Sequence, residues 1–140
     1  MNDLALRVIG AAHEVEGRLE GALGTIGLSI SKFNVLARLA ETAEPLPLSQ
    51  LADRCSCVRS NMTQLMDRLE AERLVERVAD PSDRRSVRAM LTDLGRERHA
   101  EALKRVGEAE REVFAGLDDQ DRQALTHLLG RLGRSGICDG

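Results

Sequence analysis

The sequence predicts a mainly α-helical domain carrying one β-hairpin, and three observations lead there. Apolar residues recur at spacings of three and four along most of the chain, which marks helices with one buried face. One stretch breaks that rhythm, between Leu74 and Leu91, where short alternating runs flank a loop containing Pro81 and two aspartates. Phe33 and Phe114 are the only residues of the Phe, Trp and Tyr set, so the core must be built from Leu, Val, Ile, Ala and Met, which favours helices over an aromatic-rich sheet.

Each element follows in order. Leu4, Val8, Ala11/Ala12, Val15, Leu19 and Ala22/Leu23 form one stripe, predicting a long helix from Asp3 to about Leu23 that Gly24-Thr-Ile-Gly27 ends. Ser29 or Ser31 caps a second helix with Phe33, Val35/Leu36, Leu39 and Ala40 inward, closed by Pro45 and Pro47. A short helix then opens at Leu48-Ser49, with Ser49 as its cap and Leu51 and Ala52 inward, and turns near Arg54 to Val58. A longer helix from about Arg59 to Arg73 buries Met62, Leu65, Met66 and Leu69 and turns Arg59, Ser60, Thr63, Gln64 and Asp67 outward. Leu74 to Val78 and Val87 to Leu91 alternate as strands around the loop Asp80-Pro-Ser-Asp-Arg-Arg-Ser86, giving a two-stranded hairpin. Thr92 caps a helix from about Asp93 to Ala115, with Leu94, Leu103, Val106, Ala109, Val113 and Phe114 apolar, and Asp118-Asp119 opens a last helix with Leu125, Leu128, Leu129 and Leu132.

At 140 residues and 42 % hydrophobic content the chain is expected to be one domain, burying roughly two thirds of its unfolded surface. No apolar run approaches the ~20 residues that span a bilayer, and Met1-Asn-Asp-Leu-Ala lacks the features of a secretion signal, so a cytoplasmic location without membrane contact is expected. Cys55 and Cys57 are too close in sequence for the usual disulfide, which leaves free thiols as the expectation for these two and Cys138.

A short helix, a turn, a longer helix with a polar outer face and an Arg-rich hairpin is an order suited to DNA: the longer helix enters a major groove and the hairpin reaches the neighbouring minor groove. The formal net charge of −3 requires that charge be segregated for this purpose. Residues 53 to 88 hold eight Arg against seven Asp or Glu, and the acids Asp67, Glu70, Glu72 and Glu76 fall late in the longer helix or after it, whereas Arg59, Ser60, Asn61, Thr63 and Gln64 crowd its start. No Gly-x-Gly-x-x-Gly, Gly-x-Ser-x-Gly or P-loop is present, so no enzyme is expected. His13, His99 and His127 are scattered without metal-ligand spacing and read as exposed helical histidines.

Leu51-Ala-Asp-Arg, Arg59-Ser-Asn-Met-Thr-Gln-Leu-Met-Asp-Arg-Leu-Glu, Leu74-Val, Asp80-Pro-Ser-Asp-Arg-Arg-Ser and Leu91-Thr-Asp-Leu-Gly95 together resemble the MarR family of winged-helix transcriptional regulators. The resemblance implies a winged helix-turn-helix of about six helices and a two-stranded wing, dimerising through its N- and C-terminal helices. Residues 31–92 would then form the DNA-binding lobe of a single 1–140 domain, and residues 3–24 and 118–137, with part of 93–116, the dimerisation helices. It further implies a homodimer on a pseudo-palindromic double-stranded operator, usually as a repressor, released by a small molecule, an oxidant or a metal, with no cofactor required. By position, Arg59, Ser60, Asn61, Thr63 and Gln64 would face bases and phosphates and Arg68 the backbone. Arg85, held by Asp83, would enter the minor groove, with Arg84 and Arg88 supporting the hairpin.

The sequence departs from the family between the two motif helices, where Cys55-Ser56-Cys57-Val58 replaces an apolar-Gly-apolar segment and its capping residue, leaving Ser60 or Ser56 to serve as cap. Two readings of the cysteines stay open. They are small buried hydrophobes, or, with Cys138, they form a thiol sensor for a soft ion such as Zn, Cd, Hg, Cu or As, or for an oxidant. A winged-helix protein-interaction module that does not bind DNA is the other class of function compatible with these residues.

Overall fold

The computed structural model describes residues 3–55 and 59–132. In chain order they form α1 (Leu4–Gly24), α2 (Ile30–Ala40), β1 (Leu46–Pro47), α3 (Leu48–Cys55), α4 (Arg59–Ala71), β2 (Val75–Asp80), β3 (Asp83–Leu91), α5 (Asp93–Val113) and α6 (Asp119–Arg131). The described chain divides into two compact units, one made of residues 3–30 and 103–132, the other of residues 31–102.

The central unit has an almost wholly aliphatic core. Val35, Leu36 and Leu39 of α2, Leu51, Ala52 and Cys55 of α3, and Met62, Met66 and Leu69 of α4 are buried together with Leu74, Val75, Ala89 and Leu91. Their three-and-four spacing in the helices turns one face of each inward. The antiparallel sheet has the order β1-β3-β2. The two-stranded wing is thus joined by a third strand, in which Leu46 and Pro47 pair with Ala89 and Arg88. A two-residue strand of which one member is Pro47 shows no alternation, so nothing in the sequence marks β1. Because Pro47 is engaged in that pairing, α3 starts at once with Leu48, and Ser49 falls inside its first turn and not at the expected cap.

The hairpin also differs from expectation. The loop anticipated over residues 80–86 shrinks to Pro81 and Ser82, with a bulge at Ala79/Asp80, so Arg84 and Arg85 lie in β3. The cause is Asp80. Its Oδ1 accepts from the Ser82 backbone N–H at 2.9 Å and from the Ser82 hydroxyl at 2.8 Å, which closes the chain into a tight turn and lets pairing resume at Asp83.

The junction from α4 to α5 explains the Leu-Thr-x-x-Gly motif. Helix α4 ends with Arg73 at φ 64°; the Arg73 N–H bonds Glu70 O at 2.9 Å and the Leu74 N–H bonds Leu69 O at 3.0 Å. This is a Schellman closure with a non-glycine residue in the left-handed position. Thr92 fastens it to the next helix: its hydroxyl donates to Arg73 O at 2.6 Å and accepts from the Gly95 N–H at 2.9 Å, capping α5 as expected. The Thr92 N–H bonds Leu74 O at 3.1 Å. Gly95 then passes so close to the Leu74 carbonyl that an added Cβ would lie 2.0 Å from its oxygen.

In the unit containing both termini, Gly27 at φ 75° and a Leu28 N–H to Leu23 O bond of 3.0 Å end α1. The Glu20 carboxylate accepts the Ile30 N–H at 2.9 Å, giving α2 a cap from a residue not anticipated for it. Arg18 and Glu112 join α1 to α5 at 3.2 Å. Asp118 and Asp121 form a reciprocal capping box at the start of α6. Of the apolar residues expected to face inward here, Leu4, Val8, Leu103, Leu128, Leu129 and Leu132 are exposed, and α6 buries none of its residues.

Candidate nucleic-acid interface

The interface is built on α4 and the β2–β3 hairpin. With Met62, Met66 and Leu69 buried on one side of α4, Thr63, Gln64, Asp67 and Arg68 are carried outward, and Asn61 is half-buried at the edge. Arg59 and Ser60 belong to the first turn of α4, but their side chains lie outside the described residues, as do Ser56, Cys57 and Val58 of the preceding turn and Cys138. Cys55 is a buried thiol at the last position of α3. Among the described residues no group of three or more His, Cys, Asp or Glu side chains could hold a metal.

On the wing, Arg84 and Arg85 are exposed on β3. The Asp83 carboxylate accepts the Arg85 backbone N–H at 2.9 Å, so the acid shapes the strand and leaves the guanidinium in solvent. Arg88 pairs with Asp80 at 3.2 Å, and this supports the turn from within the sheet. Asp80 is nearly buried, and its carboxyl is held below the usual carboxylate range, first by the Ser82 N–H, then by the Ser82 hydroxyl; burial opposes the shift and Arg88 adds to it. A carboxyl with a lowered folded pKa contributes stability above its unfolded pKa and loses it as pH falls through the folded value. That contribution is therefore expected to be full above the usual carboxylate range and to be lost as pH falls below it. In Asp80→Asn the acid limb of a melting-temperature profile between about pH 5 and 2 should flatten, and an unchanged limb would remove Asp80 from this role.

Three contributors to this geometry were not named from the sequence. Asp80 and Ser82 had a signal, the Asp-x-Ser spacing of an Asx-type turn. Arg77 had none. From β2 its guanidinium reaches the Asp67 carboxylate, Glu70 Oε1 at 3.4 Å and the Thr63 carbonyl at 3.3 Å, while its backbone N–H donates to Glu70 Oε2 at 3.3 Å. These contacts depend on how β2 crosses α4. Another correction concerns His99, which is half-buried and stacked on Phe33 with ring centroids 5.9 Å apart; burial lowers its pKa. His13 and His127 are exposed as expected.

No helix among the described residues is long and apolar enough to cross a membrane. Residues 28–87, which include α2 to α4 and most of the hairpin, match the profile of the MarR family. The chain is 30 % identical over 131 residues to the HTH-type transcriptional regulator PecS of Dickeya dadantii (strain 3937), covering 89 % of this chain and 79 % of that protein. It is 24 % identical to the HTH-type transcriptional repressor MdtR of Bacillus subtilis (strain 168), over 99 % of this chain and 89 % of that one. Its fold superposes with a TM-score of 0.85 on a cysteine-to-serine mutant of MarR from E. coli complexed with operator DNA, at 23 % identity and 92 % coverage of both chains. An aliphatic helix-turn-helix lobe with an Arg-bearing wing, and a relative of this identity matched over most of its length, lead to one assignment: the chain belongs to the MarR family of HTH transcriptional regulators.

Proposed function

We propose that the protein is a homodimeric repressor that reads a pseudo-palindromic operator with α4 in the major groove and Arg85 in the adjoining minor groove of each half-site. The observation that carries this reading is the pairing of two exposed reading surfaces in one compact unit: Thr63, Gln64 and Arg68 on α4, and Arg84 and Arg85 on β3. Gln and Asn can bond adenine bidentately, and Arg suits guanine or a narrow minor groove. Repression is favoured by the name of the relative MdtR.

Dimerisation is supported by α6. A 13-residue helix that buries no residue, with Leu128, Leu129 and Leu132 each more than half exposed, is marginal in water on its own. Leu4 and Leu6 of α1, at 61 % and 71 % exposure, add to the apolar surface available to a second copy. Two-fold pairing would present two α4 helices to half-sites about 34–36 Å apart, and an effector that alters that spacing would release the operator.

Fluorescence anisotropy tests the reading with a duplex from the protein's own promoter and a scrambled duplex of equal length, alongside sedimentation equilibrium. A dimer that prefers the promoter duplex, with affinity falling steeply as salt rises, is expected. A monomer, or equal binding to the two duplexes, would overturn it in favour of an interaction module.

A further inference from the structure

Two acids stand on the exposed side of α4, in the turns that follow Thr63 and Gln64. Asp67 is 60 % exposed and Glu70 43 % exposed at the side chain, and near a phosphate backbone both carboxylates are repulsive. Both are met by one group. Thr63, Asp67 and Glu70 stand at i, i+4 and i+7, a single row along α4, and Arg77 of β2 engages all three. Its fork spans two carboxylates and a main-chain carbonyl, a set that the point charge of lysine cannot match. Glu70 additionally accepts the Arg77 backbone N–H at 3.3 Å, so the row is fastened to the strand itself as well as to its side chain. Strand β2 pairs along its length with β3, which bears Arg84 and Arg85.

We propose that Arg77 is a positioning residue for DNA recognition: it offsets half of the charge of Asp67 and Glu70 and sets the rotation of α4 relative to the wing, without touching DNA. The inference rests on the DNA-reading function above. Because α4 is otherwise held by Met62, Met66 and Leu69 in the core, and exposed ion pairs stabilise little, Arg77 matters more for the alignment of the two reading elements than for folding.

The test measures anisotropy with promoter and scrambled duplexes at two salt concentrations, and thermal unfolding, for wild type, Arg77→Gln, Arg77→Lys and the triple variant Arg77→Gln/Asp67→Asn/Glu70→Gln. Arg77→Gln is expected to shift melting by only a few degrees, to weaken both duplexes and to lower the promoter-to-scrambled affinity ratio at least tenfold. Arg77→Lys, with the wild-type charge, should recover the scrambled-duplex affinity, and the triple variant, one unit more positive than wild type, should reach or exceed it, but neither should recover the ratio, since the fork is still missing. A wild-type ratio in Arg77→Lys, or in a folded Arg77→Gln, overturns the positioning role while leaving the DNA reading intact. Should Arg77→Gln fail to fold, Arg77→Lys and the triple variant still decide. Absence of promoter preference in the wild type itself overturns the reading on which the inference stands.

Discussion

Replacing Gly95 with alanine is expected to lower the melting temperature by about 5–10 °C. The new Cβ would sit 2.0 Å from Leu74 O, 3.0 Å from Leu74 C and 3.3 Å from Leu91 Cδ2. Two of these atoms are backbone, and they have little freedom to retreat. Leu74 O accepts the Thr92 N–H, Leu74 N–H closes the end of α4 on Leu69 O, and the Thr92 hydroxyl holds Arg73 O. Alanine gains roughly 1 kcal/mol of helix propensity over glycine, but overpacking against fixed backbone costs about 3 kcal/mol or more, so the clash wins. Differential scanning calorimetry of Gly95→Ala measures the balance; an unchanged or raised melting temperature would mean that α5 can slide away from Leu74. DNA binding should fall with stability, because the same junction joins α4 to β2.

Replacing Arg85 with alanine should do the opposite, leaving the fold intact and removing function. Arg85 is exposed on β3, and the contact that shapes its strand, Asp83 to the Arg85 N–H, uses backbone and survives the change. Melting should move by no more than about 0.5 kcal/mol of stability, as for surface substitutions generally. Affinity for the promoter duplex should drop about 10- to 100-fold, the loss of one or two good contacts at roughly 1–3 kcal/mol each. The fall should be smaller on a scrambled duplex, because in the proposed reading the arginine enters a narrow minor groove. Arg96→Ala, which removes an equally charged side chain paired with Asp93 at 3.3 Å, provides the control and should bind like wild type. Equal affinities for Arg85→Ala and Arg96→Ala would remove the wing from the interface.

Much of this was readable because it is local. The stripes of α2 and α4, the Thr92 cap and the Asp118 start of α6 follow from periodicity and capping, which depend on neighbours three or four residues away. The outward placement of Thr63 and Gln64 follows from the same arithmetic once Met62 and Met66 are taken as core. The hairpin was legible in kind but not in extent, since a side chain, Asp80, decides how tightly the turn closes. Strand β1 and the partly buried position of His99 were hidden, because each depends on a residue far along the chain: Ala89 and Arg88 for the strand, Phe33 for the ring.

What the residues determined alone was the six helices and the hairpin, the aliphatic character of the core and the family, all of which rest on patterns repeated within a few turns of chain. Tertiary structure alone decided that Gly95 must lack a side chain and that Arg77 of β2 meets Asp67 and Glu70 of α4. Those depend on the crossing of segments 7 to 21 positions apart, such as Arg77 with Glu70 and Gly95 with Leu74, whose separation in space no periodicity encodes.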